Sequence, residues 1–188
     1  PSSAASDVYK RQVDDVVFAP IASAQVVLER RWKEAGALVL DIGGGTTDYV
    51  LYLDGAILAS GGIPVGGDHV TNDIHLVTHI PLSKAEQVKK MEGDASGDPV
   101  KADGVVSVPD EAGFQEVEIK RQILNDVIRM RFQEMLELVK ERLPQESLLR
   151  VGKGVFLTGG SSQMNGLGEL AQDVFGLPVQ KPESPDVS

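Results

Sequence analysis

The chain has 188 residues, 41% of them hydrophobic, which suffices for one medium domain or two small subdomains around a buried core. It contains no Cys, which excludes a disulfide scaffold and a thiolate metal centre and suits a reducing compartment. A formal net charge of −10 argues against a nucleic-acid binder, and no apolar run approaches the roughly 18 residues that a membrane-spanning helix needs.

Residues 1–12 are small and polar without periodicity and read as a non-native or disordered leader. A short apolar strand is expected over 13–18. Pro20 suits a first helical turn, and Ile21, Ala24, Val27, Leu28 and Trp32 then recur at helical spacing, predicting one helix over 21–34 that Gly36 ends. The runs 37–40 and 49–53 read as strands joined by a glycine-rich bend. Asp54-Gly55 signals a tight turn into a third strand, 56–59. This meander is antiparallel, and a later strand returning after a long excursion would make the sheet mixed. A glycine-dense loop is expected over 61–67 and a helix over 68–80, stopped by Pro81. Ser83 reads as the N-cap of a further short helix, with Glu86 completing a capping box.

The stretch 93–113 is the least structured, and 105–108 and 114–119 are predicted strands of a small sheet. The longest helix is expected over 120–143, with Leu124, Val127, Ile128, Phe132, Met135, Leu136, Val139 and Leu143 along one stripe. A strand at 154–157, a turn at Thr158-Gly159-Gly160, a helix over 161–175 and an edge strand at Val179 complete the pattern. The chain does not begin with Met and ends in a Pro/Ser/Asp-rich tail, 181–188, so it reads as a fragment.

The chemistry concentrates in Asp41-Ile42-Gly43-Gly44-Gly45-Thr46-Thr47-Asp48. Gly43, Gly44 and Gly45 have no side chains, so their backbone N–H groups can approach a polyanion closely. Thr46 and Thr47 add hydroxyls, and Asp41 supplies a strand-end carboxylate that could hold a hydrated magnesium ion. A plain hairpin turn explains a bare glycine triplet; the flanking Asp, the Thr pair and the two strands favour a phosphate clamp. Thr158, Gly159 and Gly160, between a strand and a predicted helix, form a second turn suited to an anion or a polar ligand edge, although tight turns alone also demand Gly. Glu86 and Lys89 share a helix face, which by itself indicates a solvated ion pair. His75 and His79 have metal-ligand spacing but no third ligand, so no metal site is expected there. No arrangement of nucleophile and base can be picked out, and no catalytic residue is assigned. The long helix opens with Lys120, Arg121, Arg129 and Arg131 and closes with Glu134, Glu137 and Glu141, against the helix dipole. Either this is a solvated face with pairs such as Glu137–Lys140, or it is a surface for an acidic peptide.

The DIGGGTTD stretch between two strands resembles the second phosphate loop of the actin-like ATPases, which have a ribonuclease H-like fold. Gly61-Gly62-Ile63-Pro64-Val65-Gly66-Gly67-Asp68-His69-Val70-Thr71-Asn72-Asp73-Ile74 and Leu157-Thr158-Gly159-Gly160-Ser161-Ser162-Gln163-Met164-Asn165-Gly166-Leu167 narrow the resemblance to FtsA, the actin homologue of bacterial cell division. It runs over about 13–179 and covers the C-terminal half of that family's length.

The resemblance implies an α/β fold in which 13–67 plus 151–180 form a subdomain with a mixed sheet and the phosphate loop, and 68–150 form a smaller inserted α/β subdomain. It implies ATP and Mg2+ as cofactors, with Asp41, Gly43, Gly44, Gly45, Thr46 and Thr47 at the phosphates and metal. Thr158, Gly159 and Gly160 would lie against the nucleoside, and Glu86 and Lys89 would reach the ribose and adenine. Arg131 and Glu134 match positions on the helix that contacts the C-terminal tail of FtsZ, the tubulin-like ring protein. Self-association into filaments, other division proteins as partners, and a cytoplasmic location at the inner face of the membrane are implied too. The family's membrane helix would follow residue 188. In hydrolysing relatives Glu or Gln opens the helix before the loop strand. Here Ala19-Pro20 stands in its place, which implies at most a weak ATPase. The rivals are half of a sugar kinase or chaperone ATPase, and a type IV pilus assembly protein.

Overall fold

The computed structural model describes residues 18–109 and 116–180. The leader 1–12, most of the strand expected over 13–18, the start of the strand expected at Phe114 and the tail 181–188 lie outside the described residues.

The helix expected over 21–34 is two helices, α1 (Ala19–Val27) and α2 (Arg30–Ala35). Leu28 takes an extended conformation at the break, buries its side chain, and lets Trp32 stack on Phe156 with ring centroids 5.4 Å apart.

A five-stranded sheet follows, built from β1 (Ala37–Ile42), β2 (Thr47–Leu53), β3 (Ala56–Ile63), β6 (Gly154–Thr158) and β7 (Val179–Gln180), in the order β3-β2-β1-β6-β7. β1–β2 and β2–β3 pair antiparallel, whereas β1–β6 and β6–β7 pair parallel, so the sheet is mixed as the pattern predicted. Side chains alternate across it. Leu38, Leu40, Ile42, Tyr49 and Leu51 enter the main core, and Ala37, Val39, Val50 and Tyr52 meet Ala24, Leu28 and Phe156 on the other face. Both faces being covered is why 37–40 reads as unbroken apolar sequence. β3 extends beyond 56–59 and takes Gly61 and Gly62 into the strand, because Tyr49 and Asp48 of β2 fill the space where their Cβ atoms would stand.

Between β3 and β6 lie α3 (Gly67–Thr78), α4 (Leu82–Glu92), the antiparallel pair β4 (Val105–Val108) and β5 (Val117–Lys120), α5 (Arg121–Arg142) and the short α6 (Gln145–Leu148). Ser83 does not cap α4. The helix begins at Leu82, with Pro81 preceding it and accepting the Ala85 N–H, and Glu86 turns toward α3 instead of back toward a cap. Along α5 Leu124, Ile128, Phe132, Met135, Leu136 and Val139 are buried in the main core, which also takes in Val106 and Ile119 of the small sheet.

The basic start of α5 has a local cause. Arg121 donates to the Glu92 carbonyl (3.0 Å), Asn125 accepts the Asp94 N–H (3.1 Å), and Arg129 donates to the Ala95 and Ser96 carbonyls (2.8 and 2.7 Å). Spaced four apart on one face, these three side chains tie down the segment after α4, and that offsets the unfavourable dipole. Lys140 donates to Val174 O at 2.5 Å, and Glu137 accepts from Gln133, so the expected Glu137–Lys140 pair does not form. The helix expected over 161–175 is also in two pieces, a 3-10 turn (Gly160–Gln163) and α7 (Leu167–Phe175).

Candidate functional site

Three glycine-bearing segments converge at the carboxyl ends of β1 and β6. The β1–β2 bend closes with the Gly43 N–H donating to Thr46 O at 2.9 Å. The carbonyls of Gly43 and Gly44 accept the N–H groups of Gly67 and Asp68 at the start of α3, both at 2.9 Å, and Ser161 Oγ donates to Gly43 O at 3.1 Å. With the carbonyls engaged there, the amides of Gly44 and Gly45 have no hydrogen-bond partner among the described residues. Gly159 has φ +85°, and a Cβ there would stand 2.5 Å from Ile42 O and 2.7 Å from Asp41 Oδ1. Only glycine lets the second turn lie this close to the strand end.

Asp41 pairs in register with Thr158 of β6, and Ser23 on α1 donates to its Oδ2 at 2.6 Å. Thr46 is exposed. Thr47 is fully buried and its hydroxyl donates to Val65 O at 2.8 Å, so that hydroxyl holds the β3–α3 connection and is not offered to a ligand. Thr158 Oγ1 is buried without a hydrogen-bond partner among the described residues, a polar atom in need of one on the residue that pairs with Asp41.

A cavity of about 390 Å³ opens beside the bend, and Gly44, Asp68, Glu86, Lys89, Gly160 and Ser161 are among its lining. It lies within the size range of small-molecule sites. A larger concavity, about 890 Å³, lies beside α7 and β7, shares Gln163, Met164 and Asn165 with the first, and contains none of the glycine bend. Lys89 is buried and spends its donors internally, on Gly67 O (2.9 Å), Thr71 Oγ1 (2.8 Å) and Glu86 Oε2 (2.5 Å). It is a buried strut within the cavity wall.

Burial alone would raise the Glu86 carboxyl, but hydrogen bonds from Lys89, Lys90 and Thr71 outweigh it and bring it down from 4.5 to about 2. Asp94 is lowered too: its burial is outweighed by bonds from Ser96 and Lys101. A folded value below the unfolded one means that the unfolded chain binds more protons in between. The stabilisation is therefore complete above about 4.5 and is lost as pH falls toward about 2. Urea midpoints of the chain should fall across that window, and Glu86→Gln should flatten the fall. An unchanged slope in that variant would show that Glu86 carries none of it.

Arg131 and Glu134 lie outside this cavity. The Arg131 guanidinium bonds both oxygens of Asp73 on α3 (2.6 and 3.1 Å) and Glu134 (2.5 Å), which raise its pKa and neutralise its charge within the fold. His75 Nδ1 lies 2.6 Å from Ile80 O, and His79 ends α3 with φ +57°. Among the described residues no group of three His, Cys, Asp or Glu could hold a metal, and no helix is long and apolar enough to cross a membrane.

Sequence reasoning missed Ser23, Asp68, Thr71 and Ser161. Asp68, Thr71 and Ser161 lay within quoted motifs without a role of their own, whereas Ser23 carries no local signal, since its partner is 18 residues away.

A family model described as "Cell division protein FtsA" matches residues 38–187, most of the chain. The chain belongs to the FtsA family. It is 40% identical over 177 residues to the FtsA of Escherichia coli K12, covering 90% of this chain and 42% of that protein. It is 38% identical over 172 residues to the FtsA of Pseudomonas aeruginosa, covering 90% and 41%. This FtsA-family chain thus spans about two fifths of the length of the curated relatives it matches. Among solved structures it is similar to MreB 5 of Spiroplasma citri bound to AMPPNP, with TM-score 0.70, 25% identity, and 87% of this chain and 53% of that one covered. It also shares its fold with a chain of the PilM–PilN type IV pilus biogenesis complex, with TM-score 0.59, 22% identity, and 87% and 39% coverage. The fold is that of the actin-like proteins.

The residues present would suit a nucleoside triphosphate with magnesium: a Cβ at Gly45 or Gly160 would meet nothing within 4 Å, and Thr158 Oγ1, on the residue paired with Asp41, lacks a partner among the described residues.

Proposed function

We propose that this FtsA-family chain supplies one jaw of an ATP–magnesium site in a filament-forming division protein that links the FtsZ ring to the membrane. The observation that carries the nucleotide part is the convergence of the 43–45 bend, the start of α3 and the 159–161 turn on one cavity edged by an ionised Glu86. In this reading the Gly44 and Gly45 amides take phosphate oxygens. Asp41, steadied by Ser23, holds the hydrated metal, whose charge offsets that of the phosphates. Glu86 accepts from the ribose hydroxyls. The MreB 5 structure bound to AMPPNP supports the reading.

Where a water-orienting Glu or Gln would open the preceding helix, α1 begins Ala19-Pro20, and the next hydroxyl, Ser23, is committed to Asp41. Binding without fast hydrolysis follows.

Tail binding by FtsZ rests on the family and on α5, where Arg131 and Glu134 are the proposed contacts. Arg131 would have to exchange Asp73 for a tail carboxylate. Filament assembly, the membrane link and location at the inner face of the membrane are proposed for the whole protein on the same family basis.

Calorimetry with ATP and Mg2+ tests the nucleotide reading. A full-length protein carrying this chain should bind ATP, whereas the 188-residue chain alone, with one jaw, should bind it at least about tenfold more weakly. Equal affinity would overturn the half-site picture, and no binding by the full-length protein would overturn the nucleotide reading itself.

A further inference from the structure

Glu86 is partly exposed at the cavity, on the second turn of α4, where a long carboxylate side chain has several rotamers open to it. One of its oxygens faces Lys90, whose side chain is 68% exposed and offers a mobile anchor. The other oxygen, Oε2, is held from behind by two buried groups. Lys89 Nζ reaches it at 2.5 Å, and the Thr71 hydroxyl of α3 donates to it in a short bond.

Thr71 is only 7% exposed, and its oxygen also accepts from Lys89 at 2.8 Å. A hydroxyl has one proton to give. The Gly67 carbonyl one turn back, at 3.2 Å, is the weaker acceptor, and the carboxylate takes the proton in a charge-assisted bond. Lys89 gives its remaining hydrogens to Gly67 O and Glu86, so none is left for a ligand in the cavity.

We infer that Thr71 is a positioning residue of this site: its hydroxyl, bridging Lys89 and Glu86, fixes the Glu86 carboxylate at the cavity edge in the orientation that receives a ribonucleoside's hydroxyls. The inference rests on the nucleotide reading above. It makes Lys89 and Thr71 a buried bracket between α3 and α4, and leaves Glu86 as the group that touches ligand. Removing the hydroxyl while keeping the shape leaves Lys89 short of an acceptor and frees Glu86 to follow Lys90.

The test compares the parent full-length protein with Thr71→Val and Thr71→Ser, titrated by calorimetry with ATP, 2′-deoxyATP and inorganic tripolyphosphate. Thr71→Val should bind ATP about tenfold more weakly, keep its affinity for tripolyphosphate, and lose discrimination between ATP and 2′-deoxyATP. Thr71→Ser should restore both the ATP affinity and the discrimination. A general structural lesion would weaken all three ligands together, and that result, or an unchanged ATP to 2′-deoxyATP ratio in Thr71→Val, would overturn the inference.

Should Thr71→Val fail to fold, Thr71→Ala replaces it. The failure of the nucleotide reading is separable, because a carbon-13 NMR titration of Glu86 in the 188-residue chain needs no ligand. Loss of the hydroxyl should move the Glu86 midpoint up from about 2, and an unmoved midpoint would overturn the bracket even if no nucleotide binds.

Discussion

Replacing Gly45 by Val is expected to lower the ATP affinity of a full-length protein carrying this chain by about 100-fold or more, with its melting temperature unchanged. A Cβ at Gly45 meets nothing within 4 Å, and the residue does not have a positive φ, so the new side chain costs the fold nothing. It projects from the bend beside the amides proposed to take phosphate oxygens. Gly44 is a less selective probe. Its Cβ would stand 2.9 Å from Asp68 Oδ2, so Gly44→Val must also displace the first turn of α3 or its side chain. Calorimetry with a parallel thermal melt decides the matter, and parent-like affinity in Gly45→Val would remove the bend from the phosphate site.

The largest effect on stability is expected at Phe132. It is fully buried on the apolar stripe of α5 and is among the residues that line the cavity. Phe132→Ala should cost about 3–5 kcal/mol, a transfer loss plus a void that the rigid helix cannot close. A domain of this size has a total stability on the order of 5–15 kcal/mol, so the variant should be largely unfolded under mild denaturant. Met130→Ala, two residues away at a residue that is 71% exposed, should change stability by less than about 0.5 kcal/mol. Urea denaturation of the 188-residue chain measures both. Similar midpoints for the two variants would contradict the burial pattern of α5.

What the sequence determined by itself is local and periodic. The unbroken apolar run 37–40 specified a strand covered on both faces, and β1 is buried from Ala37 to Leu40. Leu124, Ile128, Phe132 and Met135, three and four apart, specified the buried stripe of α5. The triplet Gly43-Gly44-Gly45 marked the bend because glycine is informative wherever backbone must come close to something else. Tertiary structure decided everything that depends on which distant group arrives.

Val27, Leu28 and Trp32 have helical spacing, yet the chain breaks at Leu28, which turns extended and is buried against the sheet face where Trp32 stacks on Phe156. Ser83 and Glu86 spell a capping box, yet Glu86 is drawn to Thr71 and Lys89, a charged network worth more than one cap bond. Thr47 looked like a ligand hydroxyl and is instead used by Val65 O, and Lys89 looked like a ligand cation and is instead enclosed. Arg131, legible as an exposed charge, is already paired with Asp73, 58 residues earlier. A side chain's type states what it can bond, whereas its partner is chosen by proximity in the folded chain, because a buried polar group left without a bond costs more than any local preference can return.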